Sequence, residues 1–367
     1  MNKIEEFVMD YPVKRTQDNY RSQLNNYFKS LKIKDTDKYF DSDRDYKADV
    51  ETYWHSMNGK PPLTIKTSMS IVKSFLEFNE IDIPNKTWKS LRRKTKGNRA
   101  RTMDKAPTNS ELKKILQHGS VLEKSMFLMS SSSGMRINEI MHLTIDDIDL
   151  DSNPVRVNVP VSQDQDTKTG NPRFCFMSKE AKDVLNEWLK ERDEYLRVAV
   201  EKSKNKKYKG KPIFVKTIED QRIFPMGYHN ARKKWVRLLN KSGKPFNQKD
   251  KSTGRYVYHI HVLRKFFLSR MKLVVPETIA EALAGHEAYL AEAYRRYTPE
   301  ELGAFYKKGV RNLLVFETTS DENIKRLDGE LKEKDTEISD LREEMKERKM
   351  EILELRLTLQ ELKNKKK

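Results

Sequence analysis

Most apolar residues of this chain recur at the spacing of an α-helix, and only short runs alternate as in a strand. The clearest alternating runs, VRVNVP at 155–160 and RFCFMS at 173–178, flank the polar loop QDQDTKTGN. Period-two alternation suits a half-buried strand, and a polar loop suits the connection between two strands, so this stretch predicts an antiparallel hairpin. PIFVK at 212–216 is a further short strand candidate. The sequence therefore predicts a mainly α fold with a small antiparallel β-sheet, an α+β architecture.

Composition divides the 367 residues into three regions. Residues 1–100 predict short helices whose apolar stripes are typical of a buried core. The segment LRRKTKGNRARTMDKAP at 91–107 is basic, polar and closed by a proline, which indicates a linker. We therefore predict a helical domain over residues 1–100, a mixed domain over residues 101–317, and a separate helix over residues 318–367.

Apolar side chains repeat every seven positions in the last region. The first row is Ile324, Leu331, Ile338, Met345, Ile352 and Leu359, and the second, three residues later, is Leu327, Leu341, Leu355 and Leu362. Six such repeats without proline predict a C-terminal coiled coil. A solitary charged helix is the alternative, because Lys334 and Arg348 interrupt the second row.

The formal net charge of the chain is +18, and its pI is about 9.5. Residues 321–367 carry 14 acidic and 13 basic side chains, so the excess positive charge belongs to residues 1–320. This balance indicates a polyanionic partner, and nucleic acid is the first candidate.

A membrane partner is not expected. No stretch approaches the roughly 18 consecutive apolar residues of a membrane span, and the start, MNKIEEFVMDYP, has no apolar signal core. The single cysteine, Cys175, excludes an intrachain disulfide and suits a reducing, intracellular setting. We interpret Cys175 as a small apolar residue within a strand.

Two segments present arginines that could bind an anion. In SSSGMRINEI, Gly134 would let a turn present Arg136, and Glu139 follows one helical turn later. In HIHVLRKFFLSRM, His261 and Arg264 lie three residues apart, and on a helix such a pair shares one face. A guanidinium is permanently charged and planar, so that it can contact two phosphate oxygens at once. His259 competes with His261 for this assignment but lies off the face of Arg264; a metal site at the two histidines lacks further ligands.

Six residues of this chain resemble, in type and order, the active-site series of the tyrosine recombinase (phage-integrase) family. They are Arg136, Lys168, His261, Arg264, His286 and Tyr294. The likeness covers roughly residues 108–312. The family's lysine lies in a hairpin such as TKTGNPR, ahead of a small turn residue and an arginine, here Gly170 and Arg173. A Leu-Gly-His-like element, ALAGHEAYL, contains His286.

The resemblance implies that a tyrosine close behind His286 is the nucleophile. Tyr294 follows His286 by eight residues and Tyr297 by eleven, and these spacings bracket the one usual in the family. We prefer Tyr294, because it departs less from that spacing, and keep Tyr297 as the alternative. We interpret Tyr289 as a packing residue.

By this resemblance the protein is expected to be a site-specific recombinase or integrase. It would cut and rejoin DNA strands through a 3′-phosphotyrosyl intermediate, without a metal, ATP or another cofactor. Double-stranded DNA is the expected partner, clamped with the help of residues 1–100. The protein would act as a homo-oligomer on DNA, a tetramer being one option, with help from the coiled coil.

Two other functions stay open at this point. The first is a type IB-like topoisomerase, which uses a similar residue set. The second is a DNA-binding protein whose catalytic set has decayed and whose tail serves oligomerisation. In each case we expect a cytoplasmic location in a prokaryotic cell, near the nucleoid, with a virus, plasmid or other mobile genetic element as a candidate source.

Overall fold

The computed structural model describes most of the chain up to residue 316 and four positions beyond it. The described residues are 2–40, 43–97, 103–160, 173–204, 207–208, 211–212, 216–251, 253–286, 296–316, 334, 338–339 and 345. Two compact units result, Met1–Leu313 and Leu314–Lys367. Within the described ranges, no helix is both long and apolar enough to cross a membrane.

Five helices form the N-terminal part of the first unit. They are α1 (Lys3–Met9), α2 (Lys14–Ser30), α3 (Tyr46–Ser56), α4 (Pro62–Phe78) and α5 (Asn85–Lys94). The apolar stripes of α2 and α4 meet in one buried cluster, where Phe28 contacts Phe75 edge to face with ring centroids 5.9 Å apart. The prediction that these stripes form a core is confirmed. The boundary of a separate domain at residue 100 stays a prediction, because both sides of it belong to the same compact unit.

The remainder of the first unit contains eight helices and five short strands among its described residues. In chain order they are α6 (Asn109–Leu116), α7 (Val121–Ser133), α8 (Ile137–Ile140), β1 (Ile148–Asp149), β2 (Val155–Val159), β3 (Arg173–Met177), α9 (Lys179–Lys204), β4 (Lys207–Tyr208), β5 (Lys211–Pro212), α10 (Tyr228–Ser242), α11 (Val262–Met271), α12 (Glu277–Ala284) and α13 (Pro299–Gly309). Helices dominate, so the predicted mainly α fold is confirmed.

The predicted hairpin is present as part of a three-stranded antiparallel sheet in the order β1-β2-β3. Val157 pairs with Cys175 and Val159 with Arg173, as the alternation of the two runs requires. Cys175 is fully buried, and burial raises the pKa of its thiol to about 12. Its interpretation as a small apolar strand residue is confirmed. The loop between β2 and β3 lies outside the described residues.

Helix α7 is the central helix of this part of the unit. Ser120 and Glu123 form a capping box at its start, and nearly all of its side chains are buried against neighbouring helices. It ends at Gly134, whose φ of 70° is in the left-handed region that favours glycine. A Cβ at this position would clash with the Phe267 ring of α11. The glycine therefore sets both the direction of the following turn and the approach of α11.

Replacement of Gly134 by alanine is expected to destabilise the protein. The left-handed conformation costs about 1–2 kcal/mol for a residue with a Cβ, and crowding against Phe267 adds about 1–3 kcal/mol. Gly254→Ala is the matched control, because Gly254 also has a positive φ of 67° but nothing lies within 4 Å of its Cβ position. Chemical denaturation measures both; equal losses in the two variants would contradict the close approach of Phe267.

Candidate active site

Arg136 lies in the turn between α7 and α8, where Gly134 redirects the chain. It is the N-cap residue of α8, and its backbone N–H donates to Glu139 Oε2 at 2.8 Å. Its guanidinium Nη1 donates to Glu139 Oε1 at 3.1 Å, and 29% of its side chain remains exposed. One carboxylate thus fixes both the backbone and the side chain of Arg136, while part of the guanidinium stays accessible.

Glu139 also binds a second arginine. Arg173 at the start of β3 donates from Nη2 to Glu139 Oε2 at 2.7 Å, and both side chains are almost fully buried. Burial raises the pKa of Glu139, but the positive charges of Arg173 and Arg136 outweigh it and hold that pKa below 4.5. The sequence analysis identified Glu139 as the acidic residue one helical turn after Arg136, and Arg173 as the arginine that follows Lys168. It did not indicate that Glu139 and Arg173 form an ion pair.

Arg264 projects from the first turn of α11 and is only 2% exposed. Its Nη1 donates to the carbonyl oxygens of Gly134, at 2.8 Å, and of Ala284. Its Nη2 is buried and has no hydrogen-bond partner among the described residues. Burial and the neighbouring charge of Arg136 lower the pKa of Arg264 to about 9. The guanidinium is therefore held in place by two turns, with donor capacity left for an anion.

Arg136, His261 and Arg264 line one cavity of about 150 Å³. The helix α11 begins at Val262, so His261 is its N-cap residue and not part of the helix; its φ of −70° and ψ of −12° still place it one turn before Arg264. The residue is partly open to solvent, yet the surrounding protein and the charge of Arg264 lower the pKa of its imidazole to about 4. The structure thus brings three of the six predicted residues together. Their catalytic roles stay predictions.

His286 follows α12 directly after Gly285, which has a φ of 83°. Its Nδ1 pairs with Glu281 Oε2, and Lys272 also binds that carboxylate. Burial and the charge of Arg264 lower the pKa of His286, although the contact with Glu281 opposes this change. His286 is not among the residues that line the cavity, although the charge of Arg264 affects its pKa.

Lys168 and Tyr294 lie outside the described residues, as does Tyr289. The alternative nucleophile, Tyr297, is half-buried and packs edge to face on Phe305, with ring centroids 5.3 Å apart. Thr298 directly after it caps α13 together with Glu301.

Sequence reasoning missed two residues at this site. Arg15, on α2, lines the cavity and lies over the Tyr228 ring at 5.9 Å. Glu281, which holds His286, was missed as well. Glu281 precedes His286 by five residues, a spacing that a helix end could have suggested; Arg15 has no sequence signal, because only the fold brings α2 to the cavity. Within the described ranges, no group of three or more His, Cys, Asp or Glu side chains is arranged to hold a metal ion.

Replacement of Glu139 by glutamine is expected to lower the free energy of unfolding by about 3 kcal/mol, because it leaves buried positive charge without its partner. Glu187→Gln on the exposed face of α9 is the control and should change little. The ion pairs lower the pKa of Glu139. The difference in the free energy of unfolding between wild type and Glu139→Gln should therefore be largest above pH 4.5 and decrease as the pH falls further. Urea denaturation at several pH values measures this; a loss that matches the control would contradict the role of Glu139.

The fold is similar to that of two solved recombination proteins. The Tn1549 transposon integrase, in complex with transposon right end DNA, is 14% identical; the match covers 84% of this chain and 99% of that chain with a TM-score of 0.51. A lambda integrase tetramer bound to a Holliday junction is also 14% identical, with 77% and 75% covered and a TM-score of 0.51. At this identity the likeness shows a shared fold.

No curated protein sequence matches the chain. The phage integrase family matches residues 105–301, which is more than half of the chain and includes all six residues singled out in the sequence. The described part of this region contains the buried arginine, the turn that holds it and all but one of the residues that line the cavity described above. The protein therefore belongs to the phage integrase family.

Proposed function

We propose that this protein is a tyrosine-type site-specific recombinase that cuts and rejoins DNA through a 3′-phosphotyrosyl intermediate. One observation carries the proposal: the buried guanidinium of Arg264 has an Nη2 with no hydrogen-bond partner among the described residues, beside the cavity that it shares with Arg136 and His261. A buried donor without a partner is costly and rare, and a bound anion would satisfy it.

The chemistry of the cavity fits a phosphodiester. Attack on such a group passes through a pentavalent state with additional negative charge on the non-bridging oxygens. The guanidinium groups of Arg136 and Arg264 would bind those oxygens, and each such preorganised donor is commonly worth about 2.7–4 kcal/mol of transition-state stabilisation. The rigid hydrogen bonds of Arg264 to Gly134 and Ala284 mean that little reorganisation is needed when the phosphate arrives.

His261 and His286 would act as further donors to the same phosphate. Burial and the charge of Arg264 lower the pKa values of both imidazoles in the free protein, which favours their neutral forms. A bound phosphate brings negative charge and would raise these pKa values again. Neutral His261 still carries one ring proton that it can donate. In His286 the Nδ1 proton is directed at Glu281, so its Nε2 would donate once the bound phosphate has raised the pKa and the ring is protonated.

The nucleophile is proposed to be Tyr294, with Tyr297 as the alternative. Attack by the phenol oxygen on phosphorus, with loss of the phenol proton to a basic neighbour, forms the 3′-phosphotyrosyl bond and breaks the bond to the 5′ oxygen, which Lys168 would protonate as it leaves. The covalent intermediate keeps the energy of the phosphodiester. A 5′-hydroxyl of a second strand can then reverse the step, so the reaction requires neither ATP nor a divalent ion.

Double-stranded DNA is the proposed substrate, because the excess positive charge lies in residues 1–320 and because Arg15 of α2 lines the same cavity as the residues of α11. Residues 1–100 and the family region would then clamp the duplex together. The related proteins point the same way, since one is bound to transposon end DNA and the other to a Holliday junction.

We also propose that the protein acts as a homo-oligomer. The related lambda integrase is a tetramer on its junction, and exchange of strands between two duplexes needs several active sites. The heptads of residues 324–362 would join protomers or bind a partner. Of these heptad positions, the structure describes Lys334, Ile338 and Met345, all helical, and the two apolar ones are exposed at 46% and 63%.

Nicked duplexes of randomised sequence are expected to become covalently attached to the protein, in excess EDTA and without ATP. Tyr294→Phe should abolish the adduct while leaving DNA binding intact, because only the attacking oxygen is lost. The adduct is measured on denaturing gels and DNA binding by fluorescence anisotropy. Tyr297→Phe is the matched control.

The outcomes separate the open functions. Loss of the adduct in Tyr297→Phe alone would move the nucleophile but keep the class of enzyme. No adduct with any duplex would overturn the enzyme and leave a decayed DNA-binding protein. Relaxation of supercoiled DNA by the monomer, without joining of two duplexes, would favour a type IB-like topoisomerase.

Truncation after Val315 is expected to lower the mass of the complex on DNA, because it removes the heptads. Sedimentation of the full chain and of the truncated chain, with and without a bound duplex, measures this. If the number of protomers is unchanged with and without DNA, the heptads have no role in assembly. Adduct formation by the truncated chain would show that its active site is intact.

A further inference from the structure

The segment between α5 and α6 is hydrogen-bonded to residues that precede α11, close to His261. The backbone N–H of Met103 donates to Asp250 Oδ2 at 3.2 Å, and that of Lys105 donates to the Val257 carbonyl at 3.2 Å. These two bonds place Asp104, between them, at the turn that leads into α11. This turn carries His259 and His261.

The Asp104 carboxylate has two partners there. Lys265 Nζ lies 2.6 Å from each carboxylate oxygen, and His259 Nε2 lies 2.9 Å from Oδ2. The side chains of Asp104 and His259 are 21% and 29% exposed, so the contact is partly shielded from water. Burial raises the pKa of Asp104, but the bonds from Lys265 and His259 outweigh it and lower that pKa below 3.8. The group is therefore a carboxylate that accepts from both neighbours.

The other ring nitrogen of His259 faces the backbone of His261. The His261 N–H donates to His259 Nδ1 at 3.2 Å. A backbone N–H can only donate, so Nδ1 must carry no proton. In a neutral imidazole the proton then lies on Nε2, where it can donate to Asp104. The contacts at both nitrogens thus agree on one tautomer.

We propose that Asp104 and His259 are positioning residues for His261. Asp104 accepts the Nε2 proton of His259 and so leaves Nδ1 to hold the backbone amide of His261 at the start of α11. The part of this inference that concerns strand cleavage rests on the proposed function; the part that concerns the tautomer stands on the geometry alone.

The position of His261 gives this hydrogen bond its importance. The first amides of a helix lack partners within the helix and need acceptors from outside it. The side chain of His261 provides no cap, although the residue is the N-cap of α11. The His259 ring accepts the His261 amide, and the His259 carbonyl accepts the Val262 amide at 2.9 Å. The backbone that aims the His261 imidazole into the cavity is therefore held by His259.

A simpler role for Asp104 is to neutralise Lys265. The two roles differ in what they predict for the tautomer of His259. If Asp104 only offsets the charge of Lys265, the tautomer of His259 should not depend on the carboxylate. If Asp104 acts through His259, the loss of the carboxylate should move the proton between the two ring nitrogens.

The first experiment reads the tautomer directly. In protein labelled with ¹⁵N-histidine at neutral pH, the His259 ring is expected to show an unprotonated Nδ1 and a protonated Nε2; comparison with His259→Thr assigns its signals. Asp104→Asn can donate to Nε2 and should therefore populate the Nδ1–H form, as an amide does when it replaces a carboxylate that orients an imidazole. Asp183→Asn, on the exposed face of α9, is the control and should leave the tautomer unchanged.

The second experiment reads the cleavage rate of bound DNA. His259→Val is expected to slow adduct formation roughly 10–100-fold, the usual cost of losing a group that orients an active-site residue. Threonine has nearly the same shape as valine but supplies a hydroxyl oxygen that can accept a hydrogen bond from the His261 amide. His259→Thr should therefore recover most of the cleavage rate. DNA affinity should be alike in the two variants, since both lack the imidazole, and the hydroxyl that accepts the His261 amide should make the melting temperature of His259→Thr slightly the higher.

The third experiment asks whether Asp104 acts through His259. In wild type, Asp104→Asn should slow adduct formation; in the His259→Thr background it should change the rate by no more than roughly twofold, because no tautomer remains to be set. An equal loss in both backgrounds would overturn the relay, as would an unchanged tautomer in Asp104→Asn. If neither the wild type nor any variant forms an adduct, the proposed function fails. The ring signals then still decide the role of Asp104.

Discussion

The buried carboxylate of Glu139 is the interaction on which the rest of the site depends. It binds Arg173 from β3 and both the backbone and the guanidinium of Arg136. Without this negative charge, two arginines would lie close together beside a third, Arg264, in a poorly hydrated interior. Glu139 thus allows the fold to gather positive charge at a point where little water can screen it.

Arg264 shows what this arrangement achieves. The turn carbonyls of Gly134 and Ala284 fix its guanidinium, and both belong to helix ends: Gly134 closes α7, and Ala284 is the last residue of α12. Its pKa, lowered to about 9, reflects a cation that is incompletely compensated by the surrounding protein. An anion in the cavity would relieve this, so the same features that cost stability in the free protein would favour phosphate binding.

Local chain signals predicted much of the fold. Alternation identified β2 and β3, and a polar run marked the segment before α6, although its first four residues belong to α5. Each of these depends on neighbours within a few residues, because helix caps and strand alternation are local properties. The sequence treats His261 and Arg264 as neighbours on one helix, whereas His261 precedes α11 as its N-cap residue.

The sequence by itself determined the residue types of the site and their order, because a phosphate site needs arginines and histidines whatever their surroundings. Only the tertiary structure decided that Arg136, His261 and Arg264 share one cavity, that Arg15 reaches it from α2, and that Glu139 and Asp104 bind Arg173 and Lys265. These contacts join residues on different elements that are distant in the sequence, such as Arg15 and Tyr228. Such pairings are set by how helices pack, and no local pattern encodes them.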